Sequence, residues 1–404
     1  MPRRVRDNTP SLFGEEPLPD FASKPEEITR AVQKNSVQRG HFMWLTLARV
    51  GFDNMLEQIV SIAAHEDLEE WKDAASQLKI DTGALDVLDK VAIRYPLYFC
   101  KPSFLIDNPL LIAYYRNIAM VSAKVMRGIG LDTALHEIGA SPLPPDKAEK
   151  LAAFFNSTVS VLLLANSSLV TPTRHIETVL SNIGASIDGS WRNEVGRLAY
   201  AEVIGGLLRY LYRRDLLNSV SYDLKGPIIE DDNDDGTVTS KDNQLTASED
   251  FLEYLQEAES NRIVYKAIEL RNGYQLLLNR QIVWRDTDGK AYKIGPDLSS
   301  VSGEGTFAWG GELKGGADPA GSDEHWKTAK SAFDRILDAA TETGRPKPKL
   351  SFIATILVDR VAREAALWIQ QGKLTSVFNL TQIAESEDKQ SLFLSDLARF
   401  LGCE

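Results

Sequence analysis

Between Pro25 and Leu217 apolar residues recur at three- and four-residue spacing, and beyond Asn272 that rhythm gives way to short alternating or continuous apolar runs. Side chains repeat every 3.6 residues on a helix and every two on a strand, so the chain divides into a helical part and a part built on a sheet. Phe42, Leu45, Arg49, Phe52, Leu56, Ile59 and Val60 show the first pattern, one apolar face interrupted once. Pro96, Pro102, Pro109, the Pro142 to Pro145 cluster and Pro172 punctuate it into separate helices. A chain of 404 residues has room for two such domains.

With 43% hydrophobic and 25% charged residues the chain can bury a core, which excludes wholesale disorder. Two cysteines, Cys100 and Cys403, are too few for a disulfide framework and form no C-x-x-C pair. The basic N-terminus lacks an apolar segment behind it, and runs such as Val159 to Ala165 are shorter than the roughly 18 residues of a membrane span. These features predict a soluble protein of the reducing cytoplasm. A net charge of −12 speaks against a nucleic-acid partner at first sight. Six acids against one lysine between Glu230 and Asp242 account for −5 of it, so a nucleic-acid groove would have to be basic locally.

The expected organisation is a flexible arm over 1–24, a helical domain over 25–225, an acidic linker or loop over 226–247, and an α/β domain over 248–404. Thr246 and Glu249 form a capping-box pattern ahead of a helix expected to run to about Arg271. Strands are expected at Tyr274 to Leu278, Ile282 to Trp284, Ala291 to Ile294, Thr306 to Lys314 and Leu350 to Val358, with helices at Asp323 to Ala340, Arg360 to Gln371 and Ser391 to Leu401. Within the linker, Asp231, Asn233, Asp235, Gly236 and Asp242 match parts of a calcium-binding loop. The twelfth position is usually Glu, and Lys225-Gly226-Pro227 is a poor incoming helix, which favours a solvated acidic loop.

The stretch with chemical content is KIGPDLSS followed by GTFAWGGELKGG. It places Asp297 fifteen residues before Glu312, with Lys314 two further on. On a strand Glu312 and Lys314 face one side with Thr306, Ala308 and Gly310, while Phe307, Trp309 and Leu313 face the other. The large apolar face is expected to pack on the helix that follows, through Trp326, Ala329, Phe333, Ile336, Leu337 and Ala340. Asp297 and Glu312 suit Mg²⁺, a hard cation that takes one or two carboxylates and keeps its waters. Lys314 would orient a water or stabilise charge on the pentacovalent phosphorus. The bland alternative is a polar turn at Asp297 and a surface ion pair between Glu312 and Lys314.

Pro296-Asp297 and Glu312-Leu313-Lys314 resemble the signature of the PD-(D/E)XK nuclease superfamily. The extension GELKGGADPAGSDEHWKTA looks like that of type II restriction endonucleases, with the ApaLI-like and XcyI-like groups as candidates. The resemblance covers roughly Glu249 to Val358. It implies an α/β fold with a restriction-endonuclease-like core, a mixed central sheet flanked by helices, behind a helical domain for DNA grip or dimerisation. It further implies a Mg²⁺-dependent homodimer that cuts double-stranded DNA at a short palindromic sequence in restriction-modification defence. A junction-resolving or repair nuclease, and a non-catalytic DNA-binding or Ca²⁺-responsive adaptor, are the rival classes. Glu269 is a candidate further acid. Gly315, Gly316, Ser322, His325 and Lys327 are candidate DNA contacts, set against a plain glycine turn and, for Ser322, Asp323 and Glu324, ordinary helix capping.

Overall fold

The computed structural model describes residues 17–224, 243–260 and 263–403. Its contacts divide into two compact units, a helical one of residues 38–193 and a sheet-containing one of residues 17–37, 194–224, 243–260 and 263–403. Two helices contribute to both: α1 (Pro25–Val50) and the forty-residue α10 (Arg174–Arg213).

The helical unit holds α2 (Phe52–His65), α3 (Leu68–Ala74), α4 (Thr82–Lys90), α5 (Pro102–Asp107), α6 (Leu110–Ile118), α7 (Ala123–Gly128), α8 (Ala134–Glu137) and α9 (Pro145–Ala165). Its punctuation is chemical. Asp67, Asp81 and Ser122 cap α3, α4 and α7 through backbone N–H groups, and prolines open α5 and α9, where a missing N–H costs nothing. Helix α9 has the length and composition to cross a membrane, with a mean hydropathy of 1.3 over an 18-residue window, contrary to the expectation that every apolar run falls short. Here it is a core helix: Leu151, Phe155 and Val159 are buried, and the Asn156 carboxamide bridges Cys100 and Leu78 through three hydrogen bonds of 2.9 Å. A buried amide satisfied this way ties three segments together.

The sheet unit comprises β1 (Leu217–Leu224), β2 (Asn243–Thr246), α11 (Phe251–Ser260), β3 (Ile263–Leu270), β4 (Gln275–Leu278), β5 (Ile282–Arg285), β6 (Ala291–Ile294), β7 (Leu298–Val301), β8 (Phe307–Lys314), α12 (Ser322–Glu342), β9 (Lys349–Ala354), α13 (Asp359–Gln370), β10 (Ser376–Asn379), α14 (Leu380–Ile383) and α15 (Glu387–Phe400). Eight strands form one mixed sheet in the order β10-β9-β8-β7-β4-β3-β1-β2, and β5 and β6 pair as a separate ribbon. Strands β8, β9 and β10 run parallel, joined by the crossover helices α12 and α13, and the other pairs are antiparallel. The α/β class and the mixed sheet flanked by helices are as expected.

Several local expectations fail. The helix expected to reach Arg271 ends at Ser260, and residues 263–270 form β3, so Glu269 lies on a strand. Ile263-Val264-Tyr265 is a β-branched and aromatic run, and as an inner strand β3 is apolar enough on both faces to blur the alternation. Residues 217–224 are a strand at the end of the expected helical domain, and residues 243–246 of the expected linker pair with them as β2. Strands β7 and β10 went unanticipated. Of the expected flexible arm, Phe21–Ser23 are pinned: the Ser23 N–H donates to Leu357 O at 2.8 Å and the Asn379 amide to Phe21 O at 3.0 Å. Residues 1–16, the calcium-loop candidates Asp231 to Asp242 and most of the acidic loop lie outside the described residues.

Two apolar clusters flank the sheet. One joins Val203, Leu207 and Leu211 of α10, Phe251 and Leu255 of α11 and Leu394 and Leu397 of α15 to Trp309 and Leu313 of β8. The other joins Trp326, Phe333 and Ile336 of α12 and Val361 and Trp368 of α13 to Phe307, Leu350, Phe352 and the ribbon residues Trp284 and Ile294. Helix α12 therefore packs away from Trp309 and Leu313, on the side of Glu312 and Lys314, where the sequence pattern placed it on the opposite face. Phe307 leaves the face of Trp309 because the β7–β8 register shifts between Ser300 and Val301.

Candidate active site

The middle of the sheet positions the acidic and basic groups. Pro296 is buried and packs towards Gly310, whose added Cβ would lie 3.3 Å from the proline ring. Asp297 follows at the threshold of β7 and is held from both ends. Its carbonyl accepts hydrogen bonds from the Asn279 N–H at 2.9 Å and the Tyr200 hydroxyl at 2.8 Å. Its carboxylate Oδ2 accepts from the Leu313 N–H at 2.8 Å and from Lys314 Nζ at 3.2 Å. Lys314 Nζ also donates to Glu312 Oε2 at 2.7 Å. One ammonium thus bridges two carboxylates, and the three residues that the sequence paired across fifteen positions meet in space.

The electrostatics follow from burial. Glu312 is only 4% exposed, and desolvation, reinforced by the Asp297 carboxylate, pushes its acid up to about 7 against the pull of Lys314. Burial works against the charge on Lys314, but Asp297 and Glu312 outweigh it and hold the ammonium above its ordinary value. Glu312 is buried on β8, an inner strand, so a surface ion pair on an edge strand does not describe this cluster. Among the described residues no group of three or more His, Cys, Asp and Glu is arranged to hold a metal. The site offers two carboxylates bridged by one ammonium, oxygen donors of the kind that suit a hard ion completed by water and phosphate oxygens.

The other candidates fall out unequally. Both glycines after Lys314 are explained by intramolecular approach: a Cβ on Gly315 would lie 2.6 Å from Ala199 Cβ and 2.7 Å from Val195 O of α10, and one on Gly316 would lie 2.5 Å from His325 Cε1. His325 is half-buried beside the trio, and burial together with Lys314 lowers its pKa, keeping the imidazole neutral. Ser322 is buried at the first position of α12; the N-cap is Gly321, without a side-chain cap, so Ser322 does not cap the helix. Asp323 pairs with Arg360 at 3.1 Å, and exposed Lys327 lies 3.9 Å from Glu324. Glu269 is not brought to the trio. It accepts a hydrogen bond from Ser219 Oγ at 2.9 Å, and β7 and β4 separate β3 from β8. Three strand spacings amount to about 14 Å. Tyr200 and Asn279 escaped the sequence analysis, since nothing local marks a tyrosine 97 residues upstream as the partner of Asp297 O.

Residues 297–394 match the family described as restriction endonuclease BsobI. The match opens on Asp297 and includes Glu312, Lys314 and His325. Over 72 residues the chain is 49% identical to the type II restriction enzyme BsoBI of Geobacillus stearothermophilus. Over the same length it is 47% identical to the type II restriction enzyme AvaI of Nostoc sp. and to that of Anabaena variabilis. These stretches cover 18% of this chain and 22% of each relative, so the chain matches less than a quarter of the length of these relatives. The glycine-rich extension suggested the ApaLI-like or XcyI-like groups; the match names BsobI instead.

Proposed function

We propose that this chain is a type II restriction endonuclease, a hydrolase that cuts double-stranded DNA at a short palindromic sequence, with Asp297, Glu312 and Lys314 as its catalytic residues. The observation that carries the reading is the Lys314 ammonium held on both carboxylates inside the segment that resembles restriction enzymes. Asp297 and Glu312 would hold Mg²⁺, which when bound offsets phosphate charge and acidifies a coordinated water. Asp297 is fixed for that task by hydrogen bonds on both its carbonyl and its carboxylate. Lys314, half-buried between the carboxylates, supplies a donor for charge developing on the phosphate oxygens. The neutral His325 ring beside them can accept a proton from the attacking water.

A protein of this kind works in the cytoplasm as a homodimer, because two-fold symmetric subunits match a palindrome and place one site on each strand. The test is digestion of plasmid DNA with and without Mg²⁺. Discrete fragments appearing only with the metal support the reading. A random smear, or activity confined to branched DNA, turns it towards a repair or junction-resolving nuclease.

A further inference from the structure

The β5–β6 ribbon is inserted in the chain between the paired strands β4 and β7, and β6 ends two residues short of Asp297, with Gly295 and Pro296 between. Its pairing sorts its side chains onto two faces. Ile282 opposite Ile294 and Trp284 opposite Tyr292 point inward, against the α12 cluster, with Arg345 stacked over Trp284 at 5.4 Å. Val283 opposite Lys293 and Arg285 opposite Ala291 form the outer face, and all four are exposed.

The outer face is locally basic. Residues 279–296 contain Arg280, Arg285, Lys290 and Lys293 against Asp286 and Asp288, a net +2 in a chain of −12. Asp286 is spent on the turn, accepting from the N–H groups of Asp288 and Lys290 at 3.0 and 2.9 Å and from the Tyr292 hydroxyl at 3.2 Å. Arg285 gives one donor to Gly289 O at 3.1 Å and keeps the others. Among the described residues neither Arg280 nor Lys293 makes an ion pair. Small apolar side chains alternate with long cations, and the four-residue strands are about 13 Å long.

We propose that this outer face seats on duplex DNA, with Arg285 and Lys293 contacting phosphates beside the bond to be cut. The inference rests on the nuclease reading and names the surface that grips the substrate. A two-stranded ribbon fits the major groove, about 12 Å wide. Gly295 and Pro296 are the only residues between Ile294 and Asp297, which limits the connecting chain to about 10 Å. The ribbon and the side chains of Glu312 and Lys314 share the α12 side of the sheet. Two carboxylates facing a polyanion repel it, and the cations of the ribbon, close to Asp297 in the chain, supply local attraction against that repulsion.

The experiment measures binding of wild type, Arg285→Ala, Lys293→Ala and the double variant to a fluorescent plasmid-derived duplex, without divalent metal, across a salt series. Each cation that neutralises a phosphate contributes close to one unit to the slope of log K against log salt. The expected result is a slope shallower by about one per single variant and about two for the double variant, restored by Arg285→Lys and Lys293→Arg. Lys389→Ala, an equal charge change on α15, is the control. Loss no larger than that of the control overturns the proposal. So does an unchanged slope accompanied by an altered sedimentation mass, which assigns the face to a second copy of the chain. Wild-type protein that cuts plasmid while the slopes stay unchanged refutes this inference alone; wild type that neither binds nor cuts duplex refutes the nuclease reading with it.

Discussion

Lys314 sits where two carboxylates would otherwise repel each other, at 3.2 Å from Asp297 and 2.7 Å from Glu312. Its ammonium and a divalent cation therefore attract the same oxygens, and metal binding requires the lysine to yield some of its contact. Lys314→Ala should leave metal binding intact or tighter while removing the donor on which cleavage depends. Titration calorimetry with Mg²⁺ or Mn²⁺ checks this, and a large loss of metal affinity in Lys314→Ala would contradict it. Glu312 adds a pH dependence. Its acid is raised from the ordinary carboxyl range to about 7, so below that pH the metal must displace a proton. Metal affinity should fall by about tenfold per pH unit below pH 7 and level off above it. Linkage has the matching sign for the metal-free fold: the stability that goes with a protonated Glu312 is present at pH 4 and is lost as pH rises through about 7. Glu312→Gln should abolish that loss, which melting temperatures between pH 5 and 8 would show. An identical pH profile in the variant would mean that Glu312 ionises normally.

At the scale of elements, α10 touches the site twice, through the Tyr200 hydroxyl on Asp297 O and through Val195 and Ala199 against Gly315. The helix is a template against which the Asp297 turn and the end of β8 are both set. Tyr200→Phe keeps the ring packed and deletes one of two hydrogen bonds on the Asp297 carbonyl, the other coming from Asn279. Single-turnover cleavage should fall by roughly tenfold with DNA affinity unchanged, the signature of lost positioning. Wild-type rates in Tyr200→Phe would show that the hydroxyl is incidental. Elements were legible in the sequence where a period was long and one-sided. The stripe Trp326, Ala329, Phe333, Ile336 and Ala340 gave α12 nearly to its ends, and the i,i+2 relation of Glu312 and Lys314 gave their common face. Packing direction was not legible. Whether α12 covers the Leu313 face or the Glu312 face depends on a register shift at Val301 and on the competing claims of α10 and α15, which no local pattern records. The strand β3 was hidden for a related reason, because an inner strand without strict alternation reads as well for a helix.

For the whole molecule, a net charge of −12 and a polyanionic substrate are compatible only if attraction is local, and the ribbon's +2 beside Asp297 provides a place for it. The proposed two-fold assembly should appear in sedimentation as twice the 44.8 kDa chain mass, free or on DNA; a strict monomer in both states would contradict it. The central claim is that Asp297, Glu312 and Lys314 together hydrolyse DNA, and plasmid cleavage by variants that keep size and fold tests it most directly. Wild type with Mg²⁺ should yield discrete fragments. Asp297→Asn, Glu312→Gln and Lys314→Ala should each lose about 10²-fold or more in rate, as expected for groups acting on developing charge, while Lys330→Ala on α12 costs little. Folded variants that cut at near wild-type rates would contradict the account and leave the three residues as a structural cluster.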